Sequence, residues 1–190
     1  MAPIAQYSMM PSVEIALARS AAPASIAGNA DILVLGAAGY QRAANGSNGF
    51  VCLVQRSWAN AFGDPGFWNP KLRGPICFNP AAARSVLPAY LTRTEWVLAG
   101  MSGSKMAERS RAAAKGANAP ETGAMSYMLS KAGYLGDEAG GPWHPHLMFF
   151  LPRTSSATWG ANVDRSPVVV NDPADAAFST FMVVVAKWSD

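Results

Sequence analysis

His144 and His146 are the only histidines among 190 residues, and they stand two apart in the stretch "PWHPHLMFF" (142–150). On an extended strand, residues i and i+2 point to the same face, so the spacing predicts two imidazoles presented side by side. Neutral imidazole nitrogen is a ligand for zinc, copper, iron or nickel, and the pair would hold one such ion. A metal site needs a third donor and usually a fourth, and with no further histidine the carboxylates must supply them. Asp137 and Glu138 lie just upstream, while Asp172 and Asp175 precede the last apolar run. The candidate metal set is therefore His144, His146, Glu138 and Asp172; two imidazoles with a single carboxylate would leave open positions suited to metal-assisted chemistry. The competing reading is a hydrogen-bonded corner at a strand entrance, because Pro145 between the two can turn the imidazoles apart.

A second place where residue types suggest binding is the Gly-, Pro- and Asn-rich connection at 57–75, "SWANAFGDPGFWNPKLRGP". Long connections without regular structure are uncommon and often functional. Trp58, Phe62, Phe67 and Trp68, with Trp143 from the histidine stretch, could form the wall of a small-molecule site, since aromatic rings stack on flat apolar ligands. The plainer alternative is a loop pinned over the sheet by its own rings.

Other chemistries are poorly supported. "GMSGS" (100–104) misses the G-x-S-x-G pattern at its last glycine and follows a helical stretch, where a nucleophile elbow follows a strand. Ser102 and Lys105 have serine–lysine acylation spacing, but without the partner motifs a helix-capping serine explains Ser102 better. No glycine loop has phosphate-cradling spacing ahead of a helix, so no nucleotide cofactor is expected.

The bulk properties narrow the class further. Half the residues are hydrophobic and 14% are charged, the balance of a globular chain. The net charge is +3. Between 80 and 118, Arg84, Arg93, Lys105, Arg109, Arg111 and Lys115 outnumber Glu95 and Glu108, but no basic block or nucleic-acid motif accompanies them. Neither nucleic acid nor membrane is an expected partner, since no apolar run reaches the roughly eighteen residues a span requires. The first residues lack the continuous apolar core of a signal peptide. Cys52 and Cys77 are the whole thiol inventory. They would pair in an exported protein and remain buried free thiols in a cytosolic one; their spacing does not choose.

The elements that must position these residues form one domain over 1–190, with 1–28 as a partly helical N-terminal extension. "VEIALARSA" (13–21) is amphipathic and predicts a helix ending before Pro23. Residues 30–56 read as a hairpin whose turn is "NGSNG" (45–49). Asn79-Pro80 opens a short helix, a second runs from Pro88 to Ala99, and a third from Ser102 or Ser104 to Lys115. Strand-like runs occupy 124–130, 144–152 and 178–188, with 166–171 a candidate edge strand because Pro167 is tolerated there. This order predicts an α+β fold: one antiparallel sheet of about five or six strands, covered on one face by the central helices. In element order alone it resembles PAS, GAF and profilin-like layouts, an analogy that carries no function.

Three motifs in sequence, "NGFVCLV" (48–54), "ICFNP" (76–80) and "WHPHLMFF" (143–150), resemble an uncharacterised group of exported bacterial proteins. The resemblance implies an extracytoplasmic, secreted or periplasmic setting, and with it a Cys52–Cys77 disulfide. It implies no reaction. Three expectations follow: a metal-binding domain built on the histidine pair, a non-catalytic module binding a small molecule at 57–75, or an interaction protein whose sheet pairs with a partner, including a second copy of itself.

Overall fold

The computed structural model describes residues 1–116, 118–134, 144–171 and 176–190. It is an α+β protein with five helices and a single eight-stranded sheet among the described residues. The strands are β1 (Asp31–Gly36), β2 (Gly39–Ala44), β3 (Val51–Gln55), β4 (Gly74–Phe78), β5 (Met125–Met128), β6 (His146–Leu151), β7 (Val168–Asn171) and β8 (Ser179–Val184). Their order across the sheet is β2-β1-β3-β4-β5-β6-β8-β7. The helices are α1 (Pro11–Arg19), α2 (Ala24–Ala27), α3 (Pro80–Ser85), α4 (Leu87–Leu98) and α5 (Gly103–Ala114).

The helix boundaries have local causes. Asn79 caps α3, its Oδ1 accepting from the Ala82 N–H at 2.9 Å, with Pro80 at the first helical position. The same oxygen accepts from the Met125 N–H at 3.1 Å, so one side chain ends β4, starts α3 and aligns β5. Ser102 caps α5 by accepting from the Lys105 N–H. Gly100, at φ +74°, supplies the left-handed residue that closes α4.

Alternation along the central strands divides the core. Leu53, Ile76 and Phe78 point to one face and pack with Ala82 of α3, Leu87 of α4 and Val86 between them. Cys52, Val54 and Cys77 point to the other and pack with Ala18, Ala21 and Ala27, from α1 and the residues around α2. The sheet therefore carries helices on both faces at its centre, and β4 is buried at all five positions. Cys52 and Cys77 pair directly across β3 and β4 and form a disulfide, fully buried on the α1 side.

Three expectations need correction. The sheet has eight strands, not five or six, and it is mixed, because β1 and β3 run parallel. Helices cover both of its faces, since the 11–28 segment packs opposite the central helices. The hairpin expected over 30–56 is in fact β1–β2, turning at Gly36–Gly39; "NGSNG" leads from β2 across to β3 on the far side of β1. The sequence hides β2 because "GYQRAA" has no apolar alternation, and Gln41, Arg42 and Ala43 are all exposed.

Both sheet edges are guarded. At β7, Asn162 adopts φ 59° and substitutes for a neighbouring strand. Its side-chain amide donates to the Val170 carbonyl at 3.2 Å and accepts from the Val170 N–H at 2.9 Å, while its own N–H donates to the Val168 carbonyl at 3.0 Å. At β2, the register skips Ala43 opposite the Ile32–Leu33 step, and Arg42 stands on the edge paired with Asp31 at 3.1 Å. A bulge and an edge charge both discourage the addition of another strand.

Candidate functional site

The two histidines differ in environment. His146 opens β6, pairs with Met128 of β5 and Val184 of β8, and is 8% exposed. Its ring Nδ1–H donates to the carbonyl of His144 at 2.9 Å. Burial pushes the imidazole pKa below its ordinary value, with the carbonyl contact opposing the shift. His144 is exposed and precedes the strand, so strict alternation does not extend to it. Between them Pro145 is buried, and its carbonyl accepts from the Val185 N–H at 2.9 Å.

Among the described residues, no three His, Cys, Asp or Glu side chains converge as a metal-holding group. Glu138, Asp172 and Trp143, with Asp137 and Asp175, lie outside the described residues.

The aromatic residues at 57–75 are gathered into one cluster with the N-terminal segment, α4 and α5. Trp58 is 1% exposed, its indole N–H donates to Thr94 Oγ1 at 3.0 Å, and its ring lies 4.9 Å from that of Tyr7. Phe67 packs between Phe62 at 5.3 Å and Trp68 at 4.7 Å, and the Arg93 guanidinium covers Phe62 at 4.3 Å. The Tyr7 hydroxyl donates to the Trp68 carbonyl at 2.8 Å. These ring faces are largely occupied by protein.

Under the same region lies a polar network not anticipated from the sequence. Glu14 of α1 and Arg56, just past β3, form an ion pair of 2.8 Å with both side chains essentially without solvent exposure. Arg56 also donates to the carbonyls of Tyr7 and Val54, and Glu14 Oε1 accepts from the Leu35 N–H at 3.1 Å. The Tyr40 hydroxyl donates to the Val54 carbonyl at 2.7 Å, and burial pushes its pKa up to about 12. The available signal was one acid within the apolar "VEIALA" and one base ending the apolar "VCLVQR".

The sheet end at which β5 finishes and β6 begins also carries a junction of three segments. The Leu129 N–H donates to the Ala21 carbonyl at 2.9 Å, and the Ser189 N–H donates to the Leu129 carbonyl at 2.9 Å. The Ser189 hydroxyl bridges the Ser20 and Leu129 carbonyls. Ser20 and Ser130 share a hydroxyl–hydroxyl bond of 2.6 Å, and Ser130 donates to Asp190 at 3.2 Å. Beside this junction, Arg19, Ser20 and Ser189 rim an open cleft of about 290 Å³ whose walls include Ala22, Ala24 and Ala27.

The chain matches no protein-family model, no curated protein and no solved structure. The reading of its function therefore rests on this geometry.

Proposed function

We propose that the protein is an extracytoplasmic metal-binding domain in which His146 and His144 supply imidazole ligands and Glu138 or Asp172 a carboxylate. The observation that carries this reading is the His146 Nδ1–H bond to the His144 carbonyl. Metal-ligating histidines commonly donate their second ring N–H to a carbonyl or carboxylate, which fixes the tautomer and leaves the lone pair on Nε2. Burial favours the neutral imidazole, the form a metal takes. Zinc, copper, iron and nickel all suit such a donor set, and two imidazoles with one carboxylate leave coordination positions for water or substrate. The buried disulfide and the resemblance to exported proteins both support the extracytoplasmic setting.

The test is elemental analysis of protein purified without chelator, beside a His144→Ala/His146→Ala variant. Near-stoichiometric metal in the parent and none in the variant is the expected result. No metal in either, even after each ion is added back, would overturn the proposal and leave the pair as a strand corner.

A further inference from the structure

The cleft rimmed by Arg19, Ser20 and Ser189 is assembled from distant parts of the chain and held by its own hydrogen bonds. Its volume of about 290 Å³ falls just below the usual range for small-molecule sites, so it would hold only a small body. Its walls, including Ala22, Ala24 and Ala27, present little beyond methyl groups. This combination suits a compact apolar body, and the rim determines which polar groups such a body must carry.

Two opposite demands meet at that rim. Arg19 is exposed and has no ion-pair partner among the described residues, so its guanidinium is available to a carboxylate. Arg19 and Ser20 also stand at the C-terminal end of α1, where backbone carbonyls concentrate negative potential. The Ser189 hydroxyl spends its proton on the Ser20 and Leu129 carbonyls, so toward a ligand it acts as an acceptor. The Asp190 carboxylate, bonded to Ser130 and to the Lys131 N–H, adds further negative charge two hydroxyls away. A bare anion is poorly matched to this rim, and so is a bare cation. A molecule carrying a carboxylate and a hydrogen-bond donor on adjacent atoms answers both demands.

We infer that the cleft between α1, α2 and Ser189 binds a small apolar α-amino acid, its carboxylate on Arg19, its ammonium toward Ser189 and the end of α1, and its side chain against Ala22, Ala24 and Ala27. This site is separate from the proposed metal ligands and does not depend on them.

The probe is L-leucine, titrated to about 10 mM against the isotopically labelled full chain and followed by amide NMR with a chelator present. The expected result is saturable shifts in residues 19–28 and 189. Leucinamide, which lacks the anion, and 4-methylpentanoate, which lacks the donor, are each expected to bind at least about tenfold more weakly. Arg19→Gln is expected to weaken leucine by a similar factor, and Ala24→Phe, which fills the cleft, to abolish binding. Arg19 is exposed, so its variant tests the site even if Ala24→Phe disturbs the fold. Absent or non-saturating shifts, or unchanged affinity in Arg19→Gln, would overturn the inference. Equal binding by leucinamide or by 4-methylpentanoate would overturn it as well.

Discussion

Arg56 and Glu14 hold opposite charges 2.8 Å apart with essentially no exposure to water. The arginine also reaches the carbonyls of Tyr7 and Val54, so the pair ties α1 and the N-terminal segment to the end of β3. Removing one partner strands the other charge in a medium that solvates it poorly. Glu14→Ala is expected to cost about 3–5 kcal/mol in urea denaturation. Glu14→Leu combined with Arg56→Met should cost clearly less than the sum of the two single changes. Additive losses would show that the charges act independently.

Tyr40 gives the protein an alkaline limit. Its hydroxyl donates to the Val54 carbonyl, and burial raises its pKa from 10.0 to about 12, with Arg56 opposing and Glu14 adding to the shift. The folded value lies above the unfolded one, so the unfolded chain releases the phenolic proton first. The contribution of Tyr40 is therefore complete below about pH 10 and declines as pH rises toward 12. Phenolate absorbance should show late-titrating tyrosines, since burial also raises Tyr7 and Tyr90, and Tyr40→Phe should remove the step near pH 12. A spectrum unchanged by the substitution would assign the late step to another tyrosine.

The disulfide lies on the sheet face that α1 covers, with both sulfurs out of reach of solvent. Thiol titration of denatured, unreduced protein should find no free thiol. Reductant added to native protein should act only as fast as the α1 layer opens. Cys52→Ala with Cys77→Ala should cost about 3–4 kcal/mol on the chain-entropy model for a separation of 25 residues. Rapid reduction under native conditions would show that the cover over the sulfurs is loose.

Asn162 seals the β7 edge through both ends of its amide. Asn162→Gly keeps the left-handed backbone accessible and removes the seal, whereas Asn162→Ala removes the seal and strains the backbone as well. Both variants should associate at concentrations where the parent does not, measured by sedimentation, and alanine should be the less stable by thermal melting. Variants that sediment like the parent would place the protection of this edge elsewhere.

The elements that could be read from the sequence are those with strong local causes. Asn79-Pro80 and Ser102 marked helix starts through capping chemistry, and the structure uses both in that role. Pro167 correctly marked its neighbours as an edge strand. What escaped was decided by distant parts of the chain. β2 has too little apolar character to announce itself, and the parallel β1–β3 pairing depends on a crossing that no turn residue encodes. At the candidate sites the difficulty was similar. The histidine spacing was visible, but the burial that favours the neutral form of His146 follows from tertiary packing. The cleft was invisible, because alanines, two serines and an arginine have no spacing rule that brings residue 189 beside residue 20.

The Ser20–Leu129–Ser189 junction also constrains when the molecule can be finished. Ser189 bonds across 169 residues to Ser20 and across 60 to Leu129. During synthesis, α1 and the cysteines beneath it are made long before the segment that locks the end of α1 in place. Until residue 189 is free to dock, that end of the helix lacks its anchor and the disulfide below is less well covered. The hydrogen bonds of Ser189 therefore also help to hold the α1 layer over the disulfide.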